Sequence, residues 1–196
     1  MAWVIVGLGN PGEEYQRTRH NAGRQALLYF AHAYDFSDWK ADKKAKATVS
    51  KGALKRSLIA LVAPDTFMNK SGSAVGKYVK SAKAAERLIV VYDDLDLPLG
   101  TMKVSFDRSS GGHKGLESVI RAVRTRKFAR IRIGVSRVTP SGKLKKPSGE
   151  KEVLDFILGK FTSSEHEELK GVFRSASEAI ETIVLEGPMV AMNRFN

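Results

Sequence analysis

The chain has 196 residues, 42% hydrophobic and 28% charged, a size and balance that suit one soluble globular domain and exclude a disordered or fibrous chain. It carries no cysteine, which excludes disulfide bracing and thiolate chemistry and suits a cytoplasmic, reducing setting, and no apolar run approaches the roughly 20 residues of a membrane span. Lys and Arg number 33 against 21 Asp and Glu, for a net charge of +12 and a pI near 9.9, the footprint of a polyanionic partner such as nucleic acid.

Met1-Ala2 leads straight into an apolar strand, Trp3 to Leu8, with no charged leader segment ahead of it. The turn that follows, Gly7-Leu8-Gly9-Asn10-Pro11-Gly12, fits G-x-G-x-x-G letter for letter. In a dinucleotide site the helix begins inside the glycine motif, and an acidic residue ends a second strand about 20 residues on. Here Glu13 to His20 is polar without an apolar stripe, helical periodicity begins near Asn21, and Asp35 sits at the end of a helical pattern. The spacing therefore speaks against a nucleotide cofactor, and none is expected.

Lys40 to Lys46 reads as a solvated loop, followed by strands at about 47–53 and 57–63 in a hairpin that Pro64 ends. A helix is predicted over roughly 71–83. Leu88 to Tyr92 is continuously apolar, as a strand buried on both faces is, and ends in Asp93-Asp94. A strand near 102–106, a glycine pair at 111–112 opening a helix over about 114–124, and a closing strand from Ala129 to Val135 come next. Thr139 to Glu150 is rich in Pro, Gly, Ser and Lys and reads as a mobile basic loop. The rest is helical, with a long amphipathic segment over about 163–185. Strands alternating with helices predict an α/β fold, a three-layer domain over 1–196 with a central mixed, largely parallel sheet flanked by helices.

Open α/β sheets bind ligands at the carboxyl ends of their strands. Asn10 stands at such an end, with a polar loop carrying Tyr15, Arg17, Arg19, His20 and Asn21 beside it. Phe67-Met68-Asn69, Asp93 and Gly111-Gly112-His113-Lys114 end at comparable places. Together they offer a base, a carboxylate to orient it and carboxamides able to donate to a carbonyl oxygen. No H-E-x-x-H or G-x-S-x-G is present, and Gly72 to Lys77 is one residue short of a P-loop. What remains is a histidine activating water, since an imidazole of pKa about 6.5 titrates near working pH. The plainer alternatives stand beside this: a surface role for His20, a capping role for Asp93, N-caps at Asn69 and Ser71. His32 and His166 fall within helical patterns and read as structural; His113 is left undecided.

Taken together these segments resemble the bacterial-type peptidyl-tRNA hydrolase family. The likeness rests on GLGNPG, Tyr15, Thr18-Arg19-His20-Asn21-Ala22-Gly23, Thr66-Phe67-Met68-Asn69 with Ser71-Gly72, Asp93-Asp94-Leu95-Asp96-Leu97-Pro98 with Gly100, Gly111-Gly112-His113 with Gly115-Leu116, Arg132-Ile133-Gly134, and Val153 to Gly159, in order along nearly the whole chain. The resemblance implies a monomeric cytoplasmic hydrolase of phosphorylase/hydrolase-like fold that needs no metal and cuts the ester between a peptide and the 3′-terminal ribose of tRNA. It implies His20 as general base, Asp93 as the group stabilising its protonated form, and Asn10 as a selector of N-blocked substrate. Tyr15, Phe67 and Asn69 would contact the 3′ end, and Lys103 and Arg132 tRNA phosphate. A non-catalytic RNA-binding relative of the same fold, like the splicing cofactors that share it, is the alternative. Two positions depart from the family pattern: Lys114 replaces the usual Asn, exchanging a donor and acceptor for a pure cation that can bind phosphate, and Ser105 replaces a frequent lysine, whose charge Arg108 or Lys143, Lys145 and Lys146 would have to supply.

Overall fold

The computed structural model describes residues 2–196. Its sheet is built from β1 (Trp3–Gly7), β2 (Lys40–Asp42), β3 (Ala47–Leu54), β4 (Ser57–Pro64), β5 (Leu88–Pro98), β6 (Met102–Phe106), β7 (Ala129–Val138) and the short β8 (Leu144–Lys145). The strand order is β2-β3-β4-β1-β5-β7-β6, with β8 pairing to β7. The four central strands β4, β1, β5 and β7 run parallel, and antiparallel strands flank them on both sides. Helices α1 (Ala22–Ala33), α2 (Ser71–Tyr78), α3 (Ala82–Ala85), α4 (Lys114–Val123), α5 (Glu150–Leu158), α6 (Ser163–Glu186) and α7 (Pro188–Phe195) complete the described chain.

Strand alternation sorts the core into two layers. Ile5, Ile89, Val91, Ile131 and Ile133 face one side and pack with Leu27 and Phe30 of α1 and Ile180 and Ile183 of α6. Val4, Val6, Leu88, Val90 and Tyr92 face the other and pack with Val75 of α2 and Leu116 and Val119 of α4. Because both faces of the central strands are covered, their sequences are continuous apolar runs. This is the three-layer α/β arrangement expected, with its parallel strands at the centre.

The glycine motif has a packing role. A Cβ on Gly7 would lie 2.6 Å from the Gly23 carbonyl oxygen, and one on Gly23 would collide with the Val91 carbonyl of β5. Their absence lets α1 lie close against β1 and β5. The helix itself starts at Ala22, after two short 3-10 turns at Glu13–Tyr15 and Arg19–Asn21, well past the glycines.

Four local expectations are corrected. Lys40–Asp42 is an edge strand on β3 rather than loop, lysine being a residue that an exposed edge tolerates. The helix predicted over 71–83 is broken: Val79 is extended, the Tyr78 hydroxyl donates to Asp42 at 2.6 Å, and Ser81 caps a separate turn by accepting from the Ala84 N–H. β7 continues to Val138 and lies between β5 and β6, so β6 is the edge; the more continuously buried of the two strands takes the interior place. Residues 139–149 include a hairpin in which β8 folds back on Arg137 and Val138.

Candidate active site

Asp93 lies on β5 where the sheet's parallel centre ends, paired in register with Ile133 of β7. Here the layers on both sides of the sheet reach one carboxylate. His20 comes from the 3-10 turn that feeds α1, with Nδ1 2.9 and 3.0 Å from the two Asp93 oxygens. His113 comes from the start of α4, its Nε2 3.0 Å from Oδ1 of Asp93. All three are largely secluded, Asp93 at 3% and His20 at 8% exposure.

Hydrogen bonding assigns the protons. The Leu116 N–H donates to Nδ1 of His113 at 3.1 Å, so His113 is the N-cap of α4. With Nδ1 an acceptor, the neutral ring carries its proton on Nε2 and donates it to Asp93. An ionised Asp93 likewise takes the proton on Nδ1 of His20, which leaves Nε2 of His20 as the free lone pair. Burial opposes the charged form of each partner, but mutual attraction prevails. Desolvation pushes His20 down while the charge and hydrogen bond of Asp93 push it up further, so the ring ends above its ordinary 6.5. Asp93 is driven up by burial and down by His20 and His113, and ends well below the usual carboxylate range. The three ligand atoms also lie within 4.8 Å of one another, a spacing compatible with a metal ion.

The glycine turn is fastened to this centre by carboxamides. The Asn10 N–H donates to Oδ1 of Asn21 at 2.8 Å, and Nδ2 of Asn21 donates to the Asn10 carbonyl at 2.9 Å. The side chain of Asn10 accepts from the Met68 N–H at 2.8 Å. With Oδ1 so engaged, its Nδ2 remains to donate to a ligand.

A cleft of about 790 Å³ opens over the three residues. Of the candidates, His20, Asp93, Lys114 and Arg132 line it, together with His113, while Asn10, Tyr15, Phe67, Asn69 and Lys103 lie outside its lining. Phe67 is 59% exposed beside the buried Met68. Asn69, Lys103 and Lys114 are exposed, and Tyr15 is half-buried. Arg132 is bound through Nε to Asp94 at 2.7 Å, and Lys103 faces it across the ladder. Ser105 is buried and lines the cleft, as do Arg108 and Lys146, whereas Lys143 and Lys145 do not. One wall is apolar, from Val153, Leu154 and Ile157 of α5.

Asp93 is no cap, and the expected N-caps at Asn69 and Ser71 do not form: Ser71 Oγ donates back to the Met68 carbonyl. His32 and His166 stay outside the cleft. His113, which bonds to Asp93 and lines the cleft, is the member of the cluster that the sequence left undecided. Its signal was the G-G-H placement before an apolar helical pattern, at a cap position where Ser, Thr, Asp or Asn is usual.

The chain is similar to known proteins over nearly its whole length. A family model described as Peptidyl-tRNA hydrolase matches residues 4–196. The peptidyl-tRNA hydrolase of Herpetosiphon aurantiacus is 41% identical over 196 residues, covering 99% of this chain and 90% of that protein. That of Roseiflexus sp. (strain RS-1) is 40% identical over 199 residues, covering 99% and 85%. A crystal structure of peptidyl-tRNA hydrolase from Acinetobacter baumannii superposes with a TM-score of 0.87 at 31% identity, covering 100% of this chain and 94% of that one.

Proposed function

Because the chain belongs to the peptidyl-tRNA hydrolase family, its reaction is the hydrolysis of peptidyl-tRNA, and we propose that His20 is the base that activates the attacking water. The observation that carries this reading is the doubly held Asp93, which takes the His20 proton on Nδ1 and leaves Nε2 free on a residue that lines the cleft. Water on Nε2 loses its proton as its oxygen attacks the ester carbonyl, and the tetrahedral oxyanion forms. The protonated imidazole, neutralised by Asp93, then returns that proton to the departing ribose oxygen as the ester bond breaks.

Asn10 acts in selection. Its Nδ2 can donate to a peptide carbonyl, which N-blocked substrate has beyond the ester, whereas a free α-ammonium offers only donors. Tyr15 and the exposed Phe67 provide faces for terminal bases, stacking being worth about 1–3 kcal/mol per base. Asn69 contributes hydrogen bonds there, and Lys103, Lys114 and Arg132 hold phosphate. The reaction runs without a metal: ligation through Nε2 of His113 would place a proton on Nδ1, against the Leu116 N–H that caps α4. As the family resemblance implies, the enzyme acts as a monomer and single domain. Among the described residues no helix is long and apolar enough to cross a membrane, and the family resemblance implies work in the cytoplasm.

The test is release of N-acetylated amino acid from N-acetyl-aminoacyl-tRNA by the unmodified protein, with free aminoacyl-tRNA cleaved far more slowly. Tight tRNA binding without turnover would instead fit the non-catalytic RNA-binding alternative, which the family match does not favour.

Lys114 occupies the first turn of α4, where a cation opposes the helix dipole at a cost of about 0.3–1 kcal/mol. Phosphate contact explains its presence better than helix stability. Lys114→Asn is therefore expected to raise KM several-fold and to make the dependence of log affinity on log salt shallower by about 0.7–0.9, the release from roughly one phosphate. An unchanged salt slope would remove Lys114 from the phosphate contacts.

A further inference from the structure

We propose that Arg19 is a positioning residue, which pins the α5 wall of the cleft at a fixed place relative to the base on the next residue; the inference rests on the hydrolase reading. Arg19 is 4% exposed. Its Nη2 meets both oxygens of Glu165 at 2.8 and 2.9 Å, and its Nη1 donates to the Lys160 carbonyl at 2.9 Å. The guanidinium carbon lies 4.7 Å from the ring centre of Phe156, on α5, and 5.2 Å from that of Phe161. The backbone adds to this, with the Arg19 N–H donating to the Gly159 carbonyl and the Phe161 N–H to the Arg17 carbonyl.

These contacts gather at the α5–α6 junction. Glu165 also closes the capping box of α6 and binds Arg137, at the root of the 139–149 hairpin, at 3.0 Å. Helix α5 contributes no fully buried residue, so packing alone holds it weakly and its end contacts decide its position. A planar fork can serve Glu165 and Lys160 while lying against two rings, and an ammonium cannot do all of these at once. The turn bearing His20 has other fastenings: Nδ1 on Asp93, Asn21 on Asn10, and the Thr18 N–H on the Tyr15 carbonyl. Loss of the fork therefore loosens α5 before it disturbs the base.

Arg19→Lys keeps the charge and removes the fork; Phe156→Leu keeps apolar volume and removes the face from the α5 side. In Arg19→Lys, hydrogen exchange of amides 150–158 is expected to speed up about tenfold or more while β5 remains protected. KM should rise about tenfold, with kcat and the acid limb of the pH profile held; Phe156→Leu should show both effects to a smaller degree. Unchanged exchange in α5 for both variants overturns the proposal, as does a fall in kcat at constant KM, the mark of lost folded protein. If exchange rises as expected but the unmodified protein fails to cleave N-acetyl-aminoacyl-tRNA, the hydrolase reading fails and the pinning of α5 stands.

Discussion

Replacing His20 by alanine is expected to slow cleavage of N-acetyl-aminoacyl-tRNA by about 10²–10⁴-fold, the usual contribution of a positioned general base, with tRNA affinity almost unchanged. The imidazole is 8% exposed, so it offers bound RNA little surface, and its chemical value lies in one nitrogen lone pair. Removing it does not strand Asp93, because His113 still donates to that carboxylate, and the cleft should keep its shape. The residual rate would come from the oriented donors and the bound geometry. Single-turnover cleavage together with filter-binding affinity separates the two quantities. A rate near that of the unmodified protein, or a parallel loss of affinity, would take the role of base away from His20.

The second large effect belongs to Asp93→Asn. A carboxylate accepts from both histidines, but a carboxamide has one acceptor and one donor side. The Leu116 N–H keeps the His113 proton on Nε2, so the amide oxygen takes the Oδ1 place, bonded to His113 and 3.0 Å from Nδ1 of His20, and the NH₂ takes the Oδ2 place, 2.9 Å from that same nitrogen. The NH₂ donor opposes a proton on Nδ1 and favours the tautomer protonated on Nε2, which silences the base, and the loss should again be about 10²–10⁴-fold. The pH profile moves as well. In the unmodified protein His20 titrates above 6.5 because the Asp93 charge outweighs desolvation, so kcat/KM rises with pH through a value above 6.5. Without that charge desolvation governs, and the remaining activity should show its acid limb at lower pH. A limb that stays in place would mean that Asp93 does not set the protonation of His20.

How much of this can be read along the chain depends on the range of the forces involved. The strands at 102–106 and 57–63 and the long helix near 163–185 announce themselves because burial imposes a period on neighbouring residues. The broken helix after Tyr78 and the strand at Lys40–Asp42 do not, since each depends on a partner far away in sequence: Asp42 for the Tyr78 hydroxyl and Val49 for Lys40. The same holds within the site. His20 and Asp93 can be named from motif and resemblance, but the third member of the cluster stayed undecided because its cap bond and its bond to Asp93 are invisible in a lone G-G-H-K.

The sequence by itself determined the layered α/β fold, the cationic character that suits tRNA, the lateness of the first helix after its glycines, and the family. Tertiary structure alone decided that two imidazoles from opposite layers share one carboxylate, that a helix cap fixes the proton of His113 while the carboxylate takes that of His20 on Nδ1, and that Arg19 joins the His20 turn to a cleft wall more than a hundred residues away. The physical reason is that periodicity and composition record how much of each residue is hidden from water. Proton position and ion pairing instead depend on contacts of a few ångströms between groups that only folding brings together.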